Sequence, residues 1–361
     1  MSDPCPGTSN PAGLHAAMVR RLHRRAVAVG HLTLPAVPSM IDEYVTMCGA
    51  IVAGLGVQFT PEQCAQLKGL LAEQLAEAYA ASSRSNVVIS FHKPFGTVVN
   101  YRVKAEWQTV QNAYDQWFAI REPPFFGTEP DARVWALSGE TADPHTHRVL
   151  DIGAGSGRNA LALARRGHPV DAVEMAPKFA HMIRLEAERQ ALDVRVIERD
   201  IFAIGDDLAR DYQLIVASEV VPDFRDTRQL REMFELAARR LAPGGHLVFN
   251  AFLPRRGYIP DDAARELGAQ CNTMIFTRDE MAGAAGSLPL RLVADDPAYE
   301  YEKTHLPESA WPPTRWYAHW ATGLDLFDVE RDESPIELRW LVYQKADGEP
   351  RPGADSGTGS R

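Results

Sequence analysis

The chain has 361 residues, 45% of them hydrophobic and 9% aromatic, and a formal net charge of −10. That length and apolar share allow one large domain with a full core plus a smaller one, and they exclude a fragment that needs staples to fold. The acidic balance argues against extended nucleic-acid binding, which needs clustered Lys and Arg against phosphates. The four cysteines, Cys5, Cys48, Cys64 and Cys271, are scattered without C-x-x-C spacing, as reduced thiols of a cytosolic protein are. No apolar run approaches the about 20 residues that span a bilayer, and the start lacks a secretory h-region. A cytoplasmic protein with a small-molecule substrate and neither nucleic-acid nor membrane partner is expected.

Residues 1–39 hold prolines, glycines and the cluster Arg20-Arg21-Leu22-His23-Arg24-Arg25. They read as a disordered extension with a solvated basic patch, the alternative being a nucleic-acid or targeting signal. Residues 40–140 read as a cap of helices and a hairpin. Ile41, Tyr44, Val45, Cys48, Ile51, Val52 and Leu55 recur at helical spacing. Thr60-Pro61-Glu62-Gln63 is a capping box with proline at the first helical position, followed by a stripe at Cys64, Leu67, Leu71, Leu75 and Ala78. The β-branched runs Val87–Ile89 and Thr97–Val99 flank a turn at His92–Gly96, so Asn86–Val103 is predicted to be a hairpin. Trp107, Val110, Tyr114, Trp117 and Phe118 resume helical spacing. The loop Glu122–Arg133 carries two aromatics and three prolines and is either buried or part of a ligand pocket. The cap could equally form a homodimer interface.

From about residue 141 to 346 the chain alternates short apolar strands with helical stripes. Val149-Leu150-Asp151-Ile152 is a buried strand that runs into Gly153, Gly155 and Gly157 before a helix at Asn159–Arg166. Glycines there let a ligand approach the backbone, and the helix beyond offers free N–H groups. Their spacing opposes a dinucleotide fingerprint, because the position for its third glycine holds Arg158. A second strand, His168–Val173, ends at Glu174, 23 residues after Asp151, where an acidic residue in nucleotide-binding βαβ units accepts ribose hydroxyls. Lys178–Gln190 is a helix, and Val194–Ile197 is a third strand that precedes Asp200 and Ile201. The fourth strand, Tyr212–Ala217, leads into Ser218-Glu219-Val220-Val221-Pro222-Asp223, where open α/β sheets place their crevice. A helix striped by Leu230, Met233, Phe234, Ala237 and Leu241 precedes Pro243-Gly244-Gly245 and a strand from His246 to Phe252. This alternation predicts a doubly wound, mostly parallel seven-stranded sheet. The roughly eighty residues before the closing strand Ile336–Tyr343 read as a lid insertion, about 253–330, with a helix at Asp261–Leu267. Residues 347–361 read as a disordered tail.

The order D-x-G-x-G-x-G, acidic Glu174, Arg199-Asp200-Ile201-Phe202, Ser218–Phe224 and L-x-P-G-G resembles the class I, Rossmann-like S-adenosylmethionine-dependent methyltransferases over about Thr146 to Lys345. Arg158-Asn159 with the helix behind it is similar to the subgroup of tellurite-resistance and thiol methyltransferases. The resemblance implies S-adenosyl-L-methionine as cofactor, held by Asp151, Gly153, Gly155, Gly157, Glu174 with Met175, Asp200 with Ile201, and Ser218. It implies methyl transfer to an O, N or S atom of a small molecule. Glu219 or Asp223 is the candidate to take a proton or meet a cationic substrate, the alternative being that Glu219 holds the helix entry. His92, His305 and His319 are lone candidates for a general base. Trp311, Trp316, Tyr317 and Trp320 could cage a cationic or aromatic substrate or form the apolar face of the insertion. No metal is expected. The competing class is a non-catalytic cofactor- or partner-binding protein that keeps the fold.

Overall fold

The structure is a computed structural model that describes residues 10–108, 112, 124–205, 207–255 and 257–347. The chain divides into two compact units, one up to Ala113 and one from Tyr114 onward.

In the first unit, α1 (Pro11–Arg25), β1 (Ala28–Pro35), α2 (Ile41–Gly54), α3 (Pro61–Ala81), β2 (Asn86–Lys93) and β3 (Asn100–Glu106) follow in order. The strands form an antiparallel sheet ordered β1-β2-β3. The predicted capping box forms, with the Gln63 N–H donating to Thr60 Oγ1 and the Thr60 N–H to Gln63 Oε1. Leu67, Leu71, Leu75 and Ala78 are the buried stripe of α3, and Val87 and Ile89 are buried in β2.

Two expectations are corrected here. From Asn10 on, the stretch expected as a disordered extension is α1 and β1. Asn10 and Pro11 start the helix, and β1 pairs with β2 from Ala28↔Lys93 to Pro35↔Asn86, a partner about sixty residues away that local composition cannot reveal. The second hairpin strand lies at Asn100–Glu106 rather than at Thr97–Val99, which belong to the connection. Most of the helix expected over Trp107–Phe118, and the tail from 348, lie outside the described residues.

The second unit contains α4 (Ala132–Ser138), β4 (Val149–Ile152), α5 (Arg158–Arg165), β5 (Val170–Val173), α6 (Pro177–Gln190), β6 (Val194–Ile197), β7 (Tyr212–Ala217), α7 (Thr227–Arg240), β8 (Leu241–Pro254), α8 (Asp262–Gln270), α9 (Arg278–Ala285), β9 (Leu290–Pro297), α10 (Ala298–His305), α11 (Tyr317–Ala321) and β10 (Ile336–Lys345). Their sheet is ordered β6-β5-β4-β7-β8-β10-β9. The pairs among β4, β5, β6, β7 and β8 are parallel, whereas β10 runs antiparallel to both β8 and β9. The predicted seven-stranded, mostly parallel sheet is therefore present.

Apolar layers cover both faces. Leu230, Met233 and Phe234 of α7 pack on Leu150 and Ile152 from one side, and Leu163 of α5 and Ile183 of α6 pack with Val149 on the other. The strand order reverses direction between β4 and β7, and the carboxyl ends at such a switch point are where open α/β sheets bind their ligands.

The expected boundaries shift in this unit. The expected cap ran to residue 140, yet α4 and the loop before it belong to the unit that begins at Tyr114. The expected insertion 253–330 also contains a strand of the sheet, β9. Its charged residues Arg291, Asp295 and Asp296 sit on an edge strand that, among the described residues, pairs with β10 alone, so it lacks the apolar run of its buried neighbours.

Candidate active site

The glycine loop leaves β4 with Gly153, Gly155 and Gly157 all at positive φ. A Cβ at Gly153 would fall 2.5 Å from Val220 Cγ2, and one at Gly155 would fall 3.1 Å from the Phe126 ring. Only a residue without a side chain fits both the turn and the space.

Glu174 closes the loop from β5. Its carboxylate accepts from the Gly155 N–H at 2.8 Å and from the Ala176 N–H at 2.7 Å, and burial raises its pKa. Each oxygen has a further lone pair. Met175 beside it is largely exposed. Asp200 caps the turn after β6 by accepting from the Phe202 N–H at 2.9 Å, with Ile201 half-buried behind it. Gly153, Gly155, Glu174, Asp200 and Ser218 thus follow the carboxyl ends of four adjacent strands.

Asp151, on β4, is buried and its Oδ2 has no hydrogen-bond partner among the described residues. Burial, reinforced by Asp131, pushes its carboxyl up to about 7, against the pull of Arg158.

The loop ahead of α4 brings residues to this site that the sequence did not single out. Asp131 is buried and pairs with Arg158, while its Oδ2 accepts from Asn159 Nδ2 at 2.8 Å and from the Ser218 hydroxyl at 2.6 Å. Arg158 reaches Glu219 with its other terminal nitrogen, at 3.1 Å. Glu219 sits at φ 60, a left-handed conformation, and its N–H donates to Asn250 Oδ1 at 2.7 Å. Burial, offset by Arg158, raises the Glu219 carboxyl to about 7. Asp223 accepts from Asn272 Nδ2 at 2.8 Å.

Glu302 of α10 completes the group. It accepts from the Ala132 and Arg133 N–H groups and from Trp340 Nε1, and burial, then Asp131, raises it to about 7. The arrangement is a buried excess of carboxylates around one guanidinium, and such a site favours a cationic guest.

The other candidates separate. His305 is exposed and bonded to the Tyr301 carbonyl, and His319 is exposed on α11. His92 belongs to the first unit, on β2. Tyr317 and Trp320 are buried and pack with Phe252, while Trp311 and Trp316 lean on the same layer, so the aromatic set is mainly the apolar face of its segment. The Tyr317 hydroxyl and Trp316 Nε1 are buried and have no hydrogen-bond partner among the described residues. The 124–131 loop also meets this segment, since a Cβ on Gly127 would lie 3.1 Å from the Pro313 carbonyl oxygen. The sequence signal for Arg158 was its place directly after the third glycine. Asp131 and Glu302 carried none, because their burial depends on contacts 87 and 170 residues away.

Residues 149–245 match the family described as a methyltransferase domain. Over 126 residues the chain is 31% identical to the ribosomal RNA small subunit methyltransferase C of Chromohalobacter salexigens, 33% of this chain and 36% of that protein. Over 103 residues it is 26% identical to the ubiquinone biosynthesis O-methyltransferase of Pectobacterium atrosepticum, 28% of this chain and 42% of that protein. The chain therefore spans about two fifths of the length of these relatives. Among solved structures, geranyl diphosphate C-methyltransferase from Streptomyces coelicolor overlays with a TM-score of 0.47 at 14% identity, covering 66% of this chain and 99% of that one. Residues 149–245, which carry the glycine loop at the head of this seven-stranded sheet, thus match a methyltransferase domain, and the sheet is the one expected of a class I S-adenosylmethionine-dependent methyltransferase.

Proposed function

We propose that the chain transfers a methyl group from S-adenosylmethionine to an O, N or S atom of a small molecule. The observation that carries this reading is the cluster of Asp151, Asp131, Glu219 and Glu302 around Arg158. The cofactor brings a sulfonium and an ammonium, the charges that such a cluster favours. Its fit is supported by the buried Asp151 Oδ2, which has no hydrogen-bond partner among the described residues, and by the left-handed glycine loop above it. Asp151, the glycine loop, Glu174 with Met175, Asp200 with Ile201, and Ser218 would hold it. When bound, it supplies a methyl group already electrophilic, so the protein's task is to align an acceptor and exclude water.

Glu219 is the residue we assign to the acceptor's proton, with Asp223 behind it. Arg158 fixes its carboxylate, and a carboxyl raised to about 7 is matched to proton transfer at neutral pH. The Phe125-Phe126 loop and the segment of Trp311 and Trp316 would provide the apolar wall of a small-molecule pocket.

The test is an extract screen with radiolabelled S-adenosylmethionine and mass spectrometry of the labelled product, with intact small ribosomal subunits as a parallel substrate because one relative's name assigns it to ribosomal RNA. A labelled small molecule is expected, and label in RNA or protein alone would overturn the substrate class. Cofactor binding without label anywhere would favour a binding protein that keeps the fold.

A further inference from the structure

The basic cluster of α1 remains outside the methyltransferase reading, and the first unit gives it a setting. Between Asn10 and Ile41 there is no Asp or Glu, and the same holds from Asn86 to Ala105. These two segments form α1 and the whole three-stranded sheet except its last residue, in a chain of net charge −10. Positive charge is therefore concentrated on one part of an acidic protein.

Leu14, Met18 and Leu22 recur every four residues along α1 and are 57%, 69% and 66% exposed. At 100° per residue they form one row, bordered by Arg21 and Arg25, with Arg20 and Arg24 further round the helix. The opposite side of α1 is fixed to its own unit. His23 lies so close to Gly56 that a Cβ there would meet it at 2.3 Å, and buried Lys93 donates to the His23 and Ala26 carbonyls at 2.9 and 2.6 Å. The Gly96 N–H donates to the Arg24 carbonyl at 2.8 Å, which sets the β2–β3 connection against the end of α1. Phe95, next to that glycine, is 69% exposed.

We propose that this surface, α1 with the Phe95 turn, lies on an anionic lipid membrane, with Leu14, Met18, Leu22 and Phe95 entering the headgroup boundary and the arginines meeting lipid phosphates. An interfacial helix combines an apolar row with Lys or Arg and does not need the length of a spanning one. Among the described residues no helix is long and apolar enough to cross a membrane. A nucleic-acid surface would use the arginines but leave the exposed leucines, methionine and phenylalanine without a partner. A protein that wraps a helix would have to detach α1 from Gly56 and Lys93, whereas a lipid surface reaches the row and the turn as they stand.

The test is flotation of the full-length protein with phosphatidylcholine vesicles, with and without phosphatidylglycerol. Binding is expected only with phosphatidylglycerol, falling with salt and by about fivefold for each of Arg21→Gln and Arg25→Gln. The combined variant Leu14→Ser, Met18→Ser, Leu22→Ser, or Phe95→Ser alone, should lower it at least about tenfold at unchanged circular dichroism. Met47→Ser and Leu70→Ser, exposed apolar residues elsewhere in the unit, should leave it unchanged. No binding to phosphatidylglycerol vesicles overturns the proposal, as does binding that the arginines alone control. A second copy or an RNA as the occupant would appear as a doubled mass in light scattering or as retained RNA, lost in the same serine variants, and would also overturn it.

Discussion

Gly155 joins backbone strain, packing and ligand space in one position. Its φ of +54 is costly for any residue with a Cβ, and the added atom would press on Phe126. Gly155→Val is expected to abolish cofactor binding while leaving the circular dichroism spectrum unchanged, with Gly155→Ala intermediate. Wild-type affinity in the valine variant would mean that the loop is only a turn. Glu174 works on the same loop from below. Glu174→Ala should weaken cofactor binding by about 1.5 to 3 kcal/mol and also destabilise the loop, because the Gly155 and Ala176 N–H groups lose their acceptor. Calorimetry with the cofactor and its 2′-deoxy analogue checks whether the carboxylate also reads the ribose. Asp131→Ala should be more severe than either, because it leaves Arg158 paired with Glu219 alone and strands Ser218 and Asn159. About 3 to 5 kcal/mol of stability should be lost, measured by chemical denaturation.

The short helix α4 shows how elements here depend on distant partners. Its N-cap residue, Asp131, makes no side-chain cap because that side chain is engaged with Arg158 and Ser218, and Glu302 of α10 accepts the Ala132 and Arg133 N–H groups instead. Glu302→Ala is therefore expected to cost about 1 to 3 kcal/mol per orphaned group and to speed hydrogen exchange across residues 132–138 before the rest of the unit. Unchanged exchange there would show that α4 is held by its apolar face alone. The same dependence explains what the sequence made legible. The strands β4, β5 and β7 are buried on both faces and read as apolar runs, and the helices between them carry their own apolar stripes, so their periods were visible locally. The edge strand β9 is interrupted by Arg291, Asp295 and Asp296, and β1 owes its existence to pairing with β2, so neither had a clear local signature. The glycine loop and its acidic partners stood out by spacing. Asp131 and Glu302 are site residues only through contacts made late in the chain, and no periodicity encodes those.

At the scale of the whole molecule, protonation couples the site to stability. Asp151, Glu219 and Glu302 each have carboxyls raised to about 7 by burial, whereas an unfolded Asp or Glu titrates near about 4. Between these values the folded chain binds more protons than the unfolded one, so their contribution is full below about pH 4 and is lost as pH rises through about 7. His147 has the opposite sign. Burial, then the neighbouring His168, lowers it to about 4, so its contribution is present above about pH 6.5 and is lost as pH falls toward 4. The two trends offset one another on the acid side, and the ionising carboxylates dominate above about pH 6.5. A bound cation changes this balance, because it favours the ionised carboxylates and so releases protons on binding. Cofactor affinity is therefore expected to rise between about pH 6 and pH 7.5, and the increase in Tm given by saturating S-adenosylmethionine should grow over the same interval while the free protein's Tm declines. Differential scanning fluorimetry with and without cofactor measures both quantities. Glu219→Gln should flatten part of the slope by removing one of the three titrating groups. An increment that stays constant from about pH 6 to pH 7.5 would mean that the cofactor's charge does not face this cluster.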